Sequence, residues 1–392
     1  MAVDYVARSA ARTRRREASD VTALVRRLDW ILLGSVGVLV GYGLWAIAGI
    51  TRHDVPGNAH YYVVRQGAYV AVGVVGLLIA LLIDPAWYAR RWRLVFGGAV
   101  FAIAIVFAQG AVRGSKRWLD LGFFRFQPSE FGKVLFVVAL AGFLAERSRK
   151  LDETRTVLQA VGLACIPIFL VFVQPDVGTA MVYAAAFAAI LFVAGVRWLH
   201  LGVLVAVAVF VVTTVLWIAP AGGVHILKPY QVDRLTGFFH PNSDPADATY
   251  NIVQSKNAIG AGQLNGRGVD GATQTTLHFL PEHHTDFVFA SLSEERGFVG
   301  ASILLGLYLL VVWRGLRVIA LARDPFSAIV AGGIVFALLF QIFVNVGMTM
   351  GIAPITGIPA PFLSVGGSSM IANLAGVGIL LGIHVRARGS RR

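Results

Sequence analysis

Residues 280–295 read LPEHHTDFVFASLSEE, a polar loop with one proline that runs straight into an apolar stretch. Glu282, His283, His284 and Asp286 fall within five positions, beside residues apolar enough to enter a bilayer. A charged residue at the middle of a membrane helix costs roughly 2.5–3.5 kcal/mol, so such residues are functional or sit near the boundary where water reaches them. The pattern puts Asp286 in the first turn of the following helix, where unpaired backbone N–H groups favour an anion. That reading gives an ionised carboxylate able to accept a proton. Thr285 or Asp286 could equally serve as a plain helix cap, and this window leaves both readings open.

Outward from this stretch the chain stays apolar. With 57% hydrophobic and 14% charged residues over 392 positions, it is too apolar for a soluble globular protein. The fold class expected is an all-α polytopic membrane protein. Crossing ~30 Å of hydrocarbon takes about 17–25 apolar residues. Such runs occur near 29–50, 61–83, 94–110, 130–145, 156–173, 178–195, 198–219, 286–313, 326–350 and 360–384, about ten helices, with nine or eleven still open. An even count puts both termini on one side, and with that side taken as cytoplasmic it holds 22 of the 34 Lys and Arg residues, as orientation by positive charge requires. The net charge of +13 is therefore mostly an orientation signal that also attracts anionic inner-leaflet lipid. A nucleic-acid partner is not expected. The single cysteine, Cys165, excludes an intramolecular disulfide and a thiolate metal cluster, and packing is its expected role. No cleavable signal peptide is evident.

The expected organisation is a basic cytoplasmic tail (1–28), one transmembrane domain (29–384) and a second basic tail (385–392). Residues 51–58 read as a connector. Residues 113–133 carry five cations on the face that should be poor in them, which suggests anion binding. Arg113, Lys116, Arg117 and Arg125 suit phosphate oxygens. Glu130 and Lys133 could pair with each other one helical turn apart. Asp176, in GlnProAsp at 174–176, reads as a helix cap. The interval 220–285 is a large extracytoplasmic loop between helices 7 and 8, with a short helix at 249–262 lying along the bilayer surface. Gly266, Gly268 and Gly271 spell GxGxxG without a preceding strand, and read as flexible loop. HisHisThrAsp lacks the HExxH spacing of a zinc site, so its histidines read as hydrogen-bonded interface groups. The last turn, 350–369, is rich in proline and glycine, and broken helix at that depth must line a cavity or be buried in protein.

Three segments thus bring cations and carboxylates toward one cavity. Transferring a sugar from a lipid diphosphate needs a base for the attacking hydroxyl and fixed positive charge for the departing diphosphate. Asp286 can supply the first and the basic loop the second.

The motifs GlySerLysArgTrpLeuAspLeuGly…PheGlnProSerGlu (114–130), GlnProAspValGlyThr (174–179), TyrGln..Arg (230–234), GlnSerLys.AlaIleGly (254–260), LeuProGluHisHisThrAspPhe (280–287) and ProPheLeuSerValGlyGlySerSer (361–369) resemble the SEDS family, RodA, FtsW and SpoVE, in order over about 29–384. The short tails, the AsnSerAspPro loop and ThrGln at 273–274 look more like the RodA branch of elongation than the FtsW branch of division. The resemblance implies an inverting peptidoglycan glycosyltransferase that polymerises lipid II at the outer face of the bacterial cytoplasmic membrane, with undecaprenyl diphosphate as leaving group and a role in cell shape. It implies Asp286 as the catalytic residue. It implies Trp118, Arg125, Glu130, Lys133, Gln231, Arg234, Lys256 and Glu282 as substrate-binding positions. Its implied partners are lipid II, the growing lipid-linked glycan and a class B penicillin-binding protein. A divalent cation, Mg or Mn, would help stabilise the diphosphate, and no organic cofactor is expected. His283 stands where the family more often has arginine or alanine, and Val365 where tyrosine is frequent, so neither receives a role. The alternatives are a lipid II flippase, which needs no base and would be favoured by charges at several depths in the membrane, an FtsW-like division enzyme, and a scaffold for the transpeptidase.

Overall fold

The computed structural model describes residues 22–108, 117–120, 122, 125–224, 227–236 and 248–389. Asp29 caps the first apolar run, its carboxylate accepting the Leu32 N–H at 3.1 Å. That run is α1 (Trp30–Ile50), followed by α2 (Tyr61–Leu82), α3 (Trp92–Ala108), α4 (Pro128–Glu146), α5 (Thr154–Val173), α6 (Val177–Ala194) and α7 (Trp198–Ala221). After two loop helices, α8 (Pro229–Thr236) and α9 (Ala248–Gly262), come α10 (Val288–Leu321), α11 (Pro325–Thr349) and α12 (Gly367–Gly389). Among the described residues nine helices are long and apolar enough to cross a membrane. The third expected run, realised as α3, is shorter and covers about 26 Å at helical rise. The all-α polytopic class and the ten apolar runs are therefore both present.

The bundle is organised around α12, which packs most extensively on α2, while α6 packs on α11, and α10 packs on α1 and α11. Of its most apolar window 94% is buried, against none of that in α7, which stands at the edge. Cys165 lies on the exposed face of α5, so it does not take the packing role expected for it. The described helices bury charge as well. Lys133 and Glu130 pair at 2.9 Å inside the bundle, with Lys133 also donating to Gln341 Oε1 at 3.1 Å. Arg314 donates to Asp29 at 2.6 Å at the start of α1. Each charge has its partner, which is the condition under which burying one is tolerated.

The interval between α7 and α10 is packed more closely than a loop. Ile252 and Ala258 of α9 join Leu280, Phe287, Ala290 and Ile355 in a second apolar core against α10. The glycine-rich segment after it, expected to be flexible, is hydrogen-bonded along a break in α10. At Gly297 the backbone reaches φ 64°, ψ −165°, a region essentially confined to glycine. The ladder groups freed there are taken up by residues 263–268. Arg267 and Gly268 N–H donate to Glu294 and Glu295 carbonyls at 2.9 and 3.0 Å, and Phe298 and Val299 N–H donate to Gln263 and Leu264 carbonyls at 2.8 and 3.1 Å. The expected span 286–313 is thus two helical pieces within 288–321. A two-stranded antiparallel pairing, β1 (Leu119–Asp120) with β2 (Arg125–Phe126), was not foreseen. At the ends, residues 22–27 are helical and α12 continues to Gly389, with Arg386 donating to the Gly382 carbonyl at 3.0 Å.

Candidate active site

The turn that carries Asp286 is built on one carbonyl. Glu282, at φ 51°, offers its backbone oxygen to the N–H groups of Thr285, Asp286 and Phe287 at 3.1, 3.1 and 3.2 Å. This tight turn delays the helix, which starts at Val288 with Phe287 as its cap. Asp286 therefore precedes α10 instead of occupying its first turn, and the sequence-based argument for its ionisation from helix N–H groups does not hold.

Groups from distant segments fix the turn in place. Asn345 of α11 donates to the Asp286 carbonyl at 2.9 Å and to the Ile358 carbonyl at 2.8 Å. Ser364 Oγ donates to the Thr285 carbonyl, and Val365 N–H to the His284 carbonyl at 3.0 Å. Gln66 of α2 holds that segment in turn, donating to the Ser364 carbonyl and accepting the Gly366 N–H, both at 3.1 Å. The proline- and glycine-rich stretch 350–369 thus does pack on the Asp286 turn. Residues 51–58, read as a connector, do more than connect, because Asp54 reaches His283 Nε2 at 3.0 Å.

The Asp286 carboxyl is pushed up to about 6. Burial is the main cause, and the Glu282 carboxylate adds to it, while Arg234 and Arg117 pull the other way. Gly357 lies between Asp286 and Arg234. It sits at φ 69°, and a methyl group built on it would lie 3.2 Å from Asp286 Oδ2 and 4.0 Å from Arg234 Nη1. The carboxylate and the guanidinium thus face one another across a bare glycine.

Beside them runs a cleft lined by Arg117, Pro175, Gln231, Arg234 and Thr356, among others. Arg117 is anchored to the GlnProAsp turn, donating Nε–H to the Gln174 carbonyl at 3.1 Å and Nη2–H to the Pro175 carbonyl, with Asp176 at 4.0 Å. Asp176 is the cap it was read as, accepting the Thr179 N–H at 3.1 Å, and it also accepts from Gln127 at 3.0 Å. Gln231 is buried and accepts the Lys228 N–H at 3.0 Å, whereas Arg234 is exposed at the cleft.

The other expected positions are spread more widely. Glu282 is exposed at the turn and accepts from Thr285 Oγ1 at 2.8 Å. Lys256 is exposed on α9, its aliphatic chain close to Gly351. Trp118 is half-buried beside the strand pair, and Arg125 is exposed on β2 with Asp120 at 3.9 Å. Glu130 and Lys133 realise the internal pairing that their spacing allowed. Arg113 and Lys116 lie outside the described residues. The sequence reading missed Gln66, Asn345, Ser364 and Gly357. Gln66 and Asn345 carried a signal, since each is an amide placed within a long apolar helix.

A family model described as "Cell cycle protein", covering FtsW, RodA and SpoVE, matches residues 24–389. The peptidoglycan glycosyltransferase MrdB of Escherichia coli K12 is 39% identical over 330 residues, 83% of this chain and 86% of that one. A solved structure described as a peptidoglycan synthase complex that coordinates polymerization and crosslinking is similar with a TM-score of 0.78 and 28% identity, covering 93% of this chain and 99% of its own. The crystal structure of the rod shape determining protein RodA of Thermus thermophilus is similar with a TM-score of 0.67 and 25% identity, covering 93% and 98%.

Proposed function

The chain belongs to the FtsW, RodA and SpoVE family and is a peptidoglycan glycosyltransferase, and from that premise we propose that it polymerises lipid II with Asp286 as general base. The observation that carries this reading is a recessed carboxylate, held above its ordinary value but still mostly ionised at pH 7, next to a cleft lined by two arginines. The acceptor sugar hydroxyl gives its proton to Asp286. Its oxygen then bonds to the anomeric carbon of the lipid-linked donor, with inversion, as the bond to undecaprenyl diphosphate breaks. Arg117 and Arg234 stand where the leaving diphosphate gains charge, and guanidinium groups match that geometry. Gln231, in the cleft lining, and Glu282, beside Asp286, contact the nearer part of the substrate, and Lys256, Trp118 and Arg125, farther out, contact its more distant parts. Glu130 and Lys133 serve by holding α4 in register with α11.

A divalent cation, Mg or Mn, would neutralise charge on the diphosphate. Glu282, exposed beside Asp286, would hold it, because such ions take one or two carboxylates and complete their shell with phosphate oxygen and water, and Asp286 stays free to act as base. The site lies on the extracytoplasmic face of the bacterial cytoplasmic membrane in this reading, with both termini inside, and serves elongation, in line with the RodA likeness. The crosslinking partner would be a class B penicillin-binding protein, as the coordination described for the similar synthase complex suggests. Purified protein incubated with lipid II tests the proposal. Asp286→Asn keeps shape and removes basicity, so glycan synthesis should fall by about 10²–10⁴-fold. Synthesis at the wild-type rate would reject Asp286 as the base.

A further inference from the structure

One cluster beside the Asp286 turn has no task in the reaction above. Asp54, from the loop between α1 and α2, is nearly buried and faces His283 and His284. His283 Nε2 lies 3.0 and 3.1 Å from the two Asp54 oxygens, and His284 Nδ1 lies 3.6 Å from Oδ2. All three ligand atoms fall within 4.8 Å of one another. A third imidazole, His278, brings Nδ1 to 4.0 Å from Asp54 Oδ1. Among the described residues this is the one group of three or more such side chains with metal-ligand spacing.

An ion pair between Asp54 and His283 accounts for only part of this. His284 Nδ1 is out of solvent with no hydrogen-bond partner, although it points at Asp54. The two imidazole rings are crowded together with centroids 5.0 Å apart. Two basic rings turned onto one carboxylate, with one nitrogen left unsatisfied, form a poor hydrogen-bond arrangement but a good set of ligands. We propose that Asp54, His283 and His284 form a binding site for a divalent transition-metal ion of the zinc class, which ties the α1–α2 loop to the turn carrying Asp286.

The dimensions suit such an ion. Zinc bonds of about 2.0–2.2 Å in tetrahedral geometry hold neighbouring ligand atoms about 3.3–3.5 Å apart, and the contacts to Asp54 bracket that separation. Imidazole nitrogen selects zinc-like ions over magnesium or calcium, which prefer oxygen. The Asp54 and Glu282 carboxylates both act on His284, supplying the negative charge that a divalent ion needs. The ligands are held from behind as well, His283 by a hydrogen bond from Ser291 Oγ to its carbonyl at 3.2 Å and His284 by Val365. A fourth position remains for water or His278. His284 stands two residues before Asp286, so the ion would stiffen the turn from the side opposite Asn345, as a positioning group and not a reacting one.

The test reads metal directly and is independent of the polymerase reading. Full-length protein in detergent, freed of any affinity tag and stripped with chelator, is titrated with Co²⁺ and then Zn²⁺. The expected result is one Co²⁺ per chain with the visible ligand-field bands of a low-coordinate site, abolished by one equivalent of Zn²⁺. Asp54→Asn should lose the bands and weaken affinity by at least about tenfold. His283→Gln keeps a hydrogen-bonding side chain and should do the same, which covers the case in which Asp54→Asn fails to fold. Wild-type protein without ligand-field bands would overturn the proposal. So would bands and affinity that are unchanged in both folded variants, since the ion would then sit elsewhere on the chain.

Discussion

Replacing Gly357 by alanine puts a methyl group 3.2 Å from Asp286 Oδ2 and 4.0 Å from Arg234 Nη1, on a backbone at φ 69°. Two costs follow, and they can be separated. A left-handed backbone costs an L-residue roughly 1–2 kcal/mol wherever it occurs. The contact with Asp286 is a second effect, because 3.2 Å is tight for a methyl carbon against a carboxylate oxygen. The Asp286 backbone is held by Asn345, so the side chain must turn away from its present aim. Gly195, which ends α6 at φ 82° with nothing within 4 Å of an added methyl group, supplies the control. Gly195→Ala and Gly357→Ala should lose similar stability, about 1–2 kcal/mol in thermal or denaturant unfolding. Only Gly357→Ala should lose lipid II polymerisation, on the order of 10²-fold, since small misplacements of a reacting group are that costly. A folded Gly357→Ala protein as active as Gly195→Ala would refute the placement of the reaction beside Asp286 and Arg234.

Acidification probes the same carboxylate. A base works in its deprotonated form, and with Asp286 at about 6 the ionised fraction drops from about nine-tenths at pH 7 to about one-tenth at pH 5. Activity in zinc-free buffer should therefore fall roughly tenfold over that range, where an aspartate near the ordinary ~3.9 would give a flat profile. Glu282→Gln removes a charge that raises the Asp286 value, so the acid limb should move to lower pH, and a limb that stays in place would assign it to another group. Glu130→Ala leaves the buried Lys133 ammonium without its partner and should cost about 3–5 kcal/mol of stability. The double change Glu130→Leu with Lys133→Met should recover most of that loss in unfolding measurements. A double variant no more stable than either single one would mean the pair is not what holds this part of the bundle.

The sequence makes the spans legible because crossing hydrocarbon leaves little choice of composition, and each of the ten apolar runs corresponds to a helix. Local chemistry was legible as well, in the Asp176 cap and in the spacing of Glu130 and Lys133. The break at Gly297 was not, since the sequence on either side of it is helix-compatible and the glycine looks like any other until a second strand of backbone is seen beside it. Residues 263–268 supply that strand, and Gly266, read as looseness, is what permits the approach. Adding a Cβ at Gly266 would bring it into the Glu295 backbone. The same holds for Asp54, whose short polar loop looks like any turn until His283 is brought against it across the fold.

The site shows why a motif can mark a residue without giving its chemistry. HisHisThrAsp singles out Asp286, yet helix N–H groups, the local feature invoked for its ionisation, do not act on it, because the turn on the Glu282 carbonyl holds it ahead of the helix. Its proton affinity is instead set by burial and by a balance of Glu282 and Asp176 against Arg234 and Arg117, which come from four separate stretches of chain. Its position is set by Asn345, by Ser364 through Thr285, and by Gln66 through Ser364. Two of these three are amides placed in apolar helices, where an unpartnered polar group would be costly. Gln66 and Asn345 each find carbonyls from another segment, and those carbonyls belong to the active-site turn or to the stretch that clamps it.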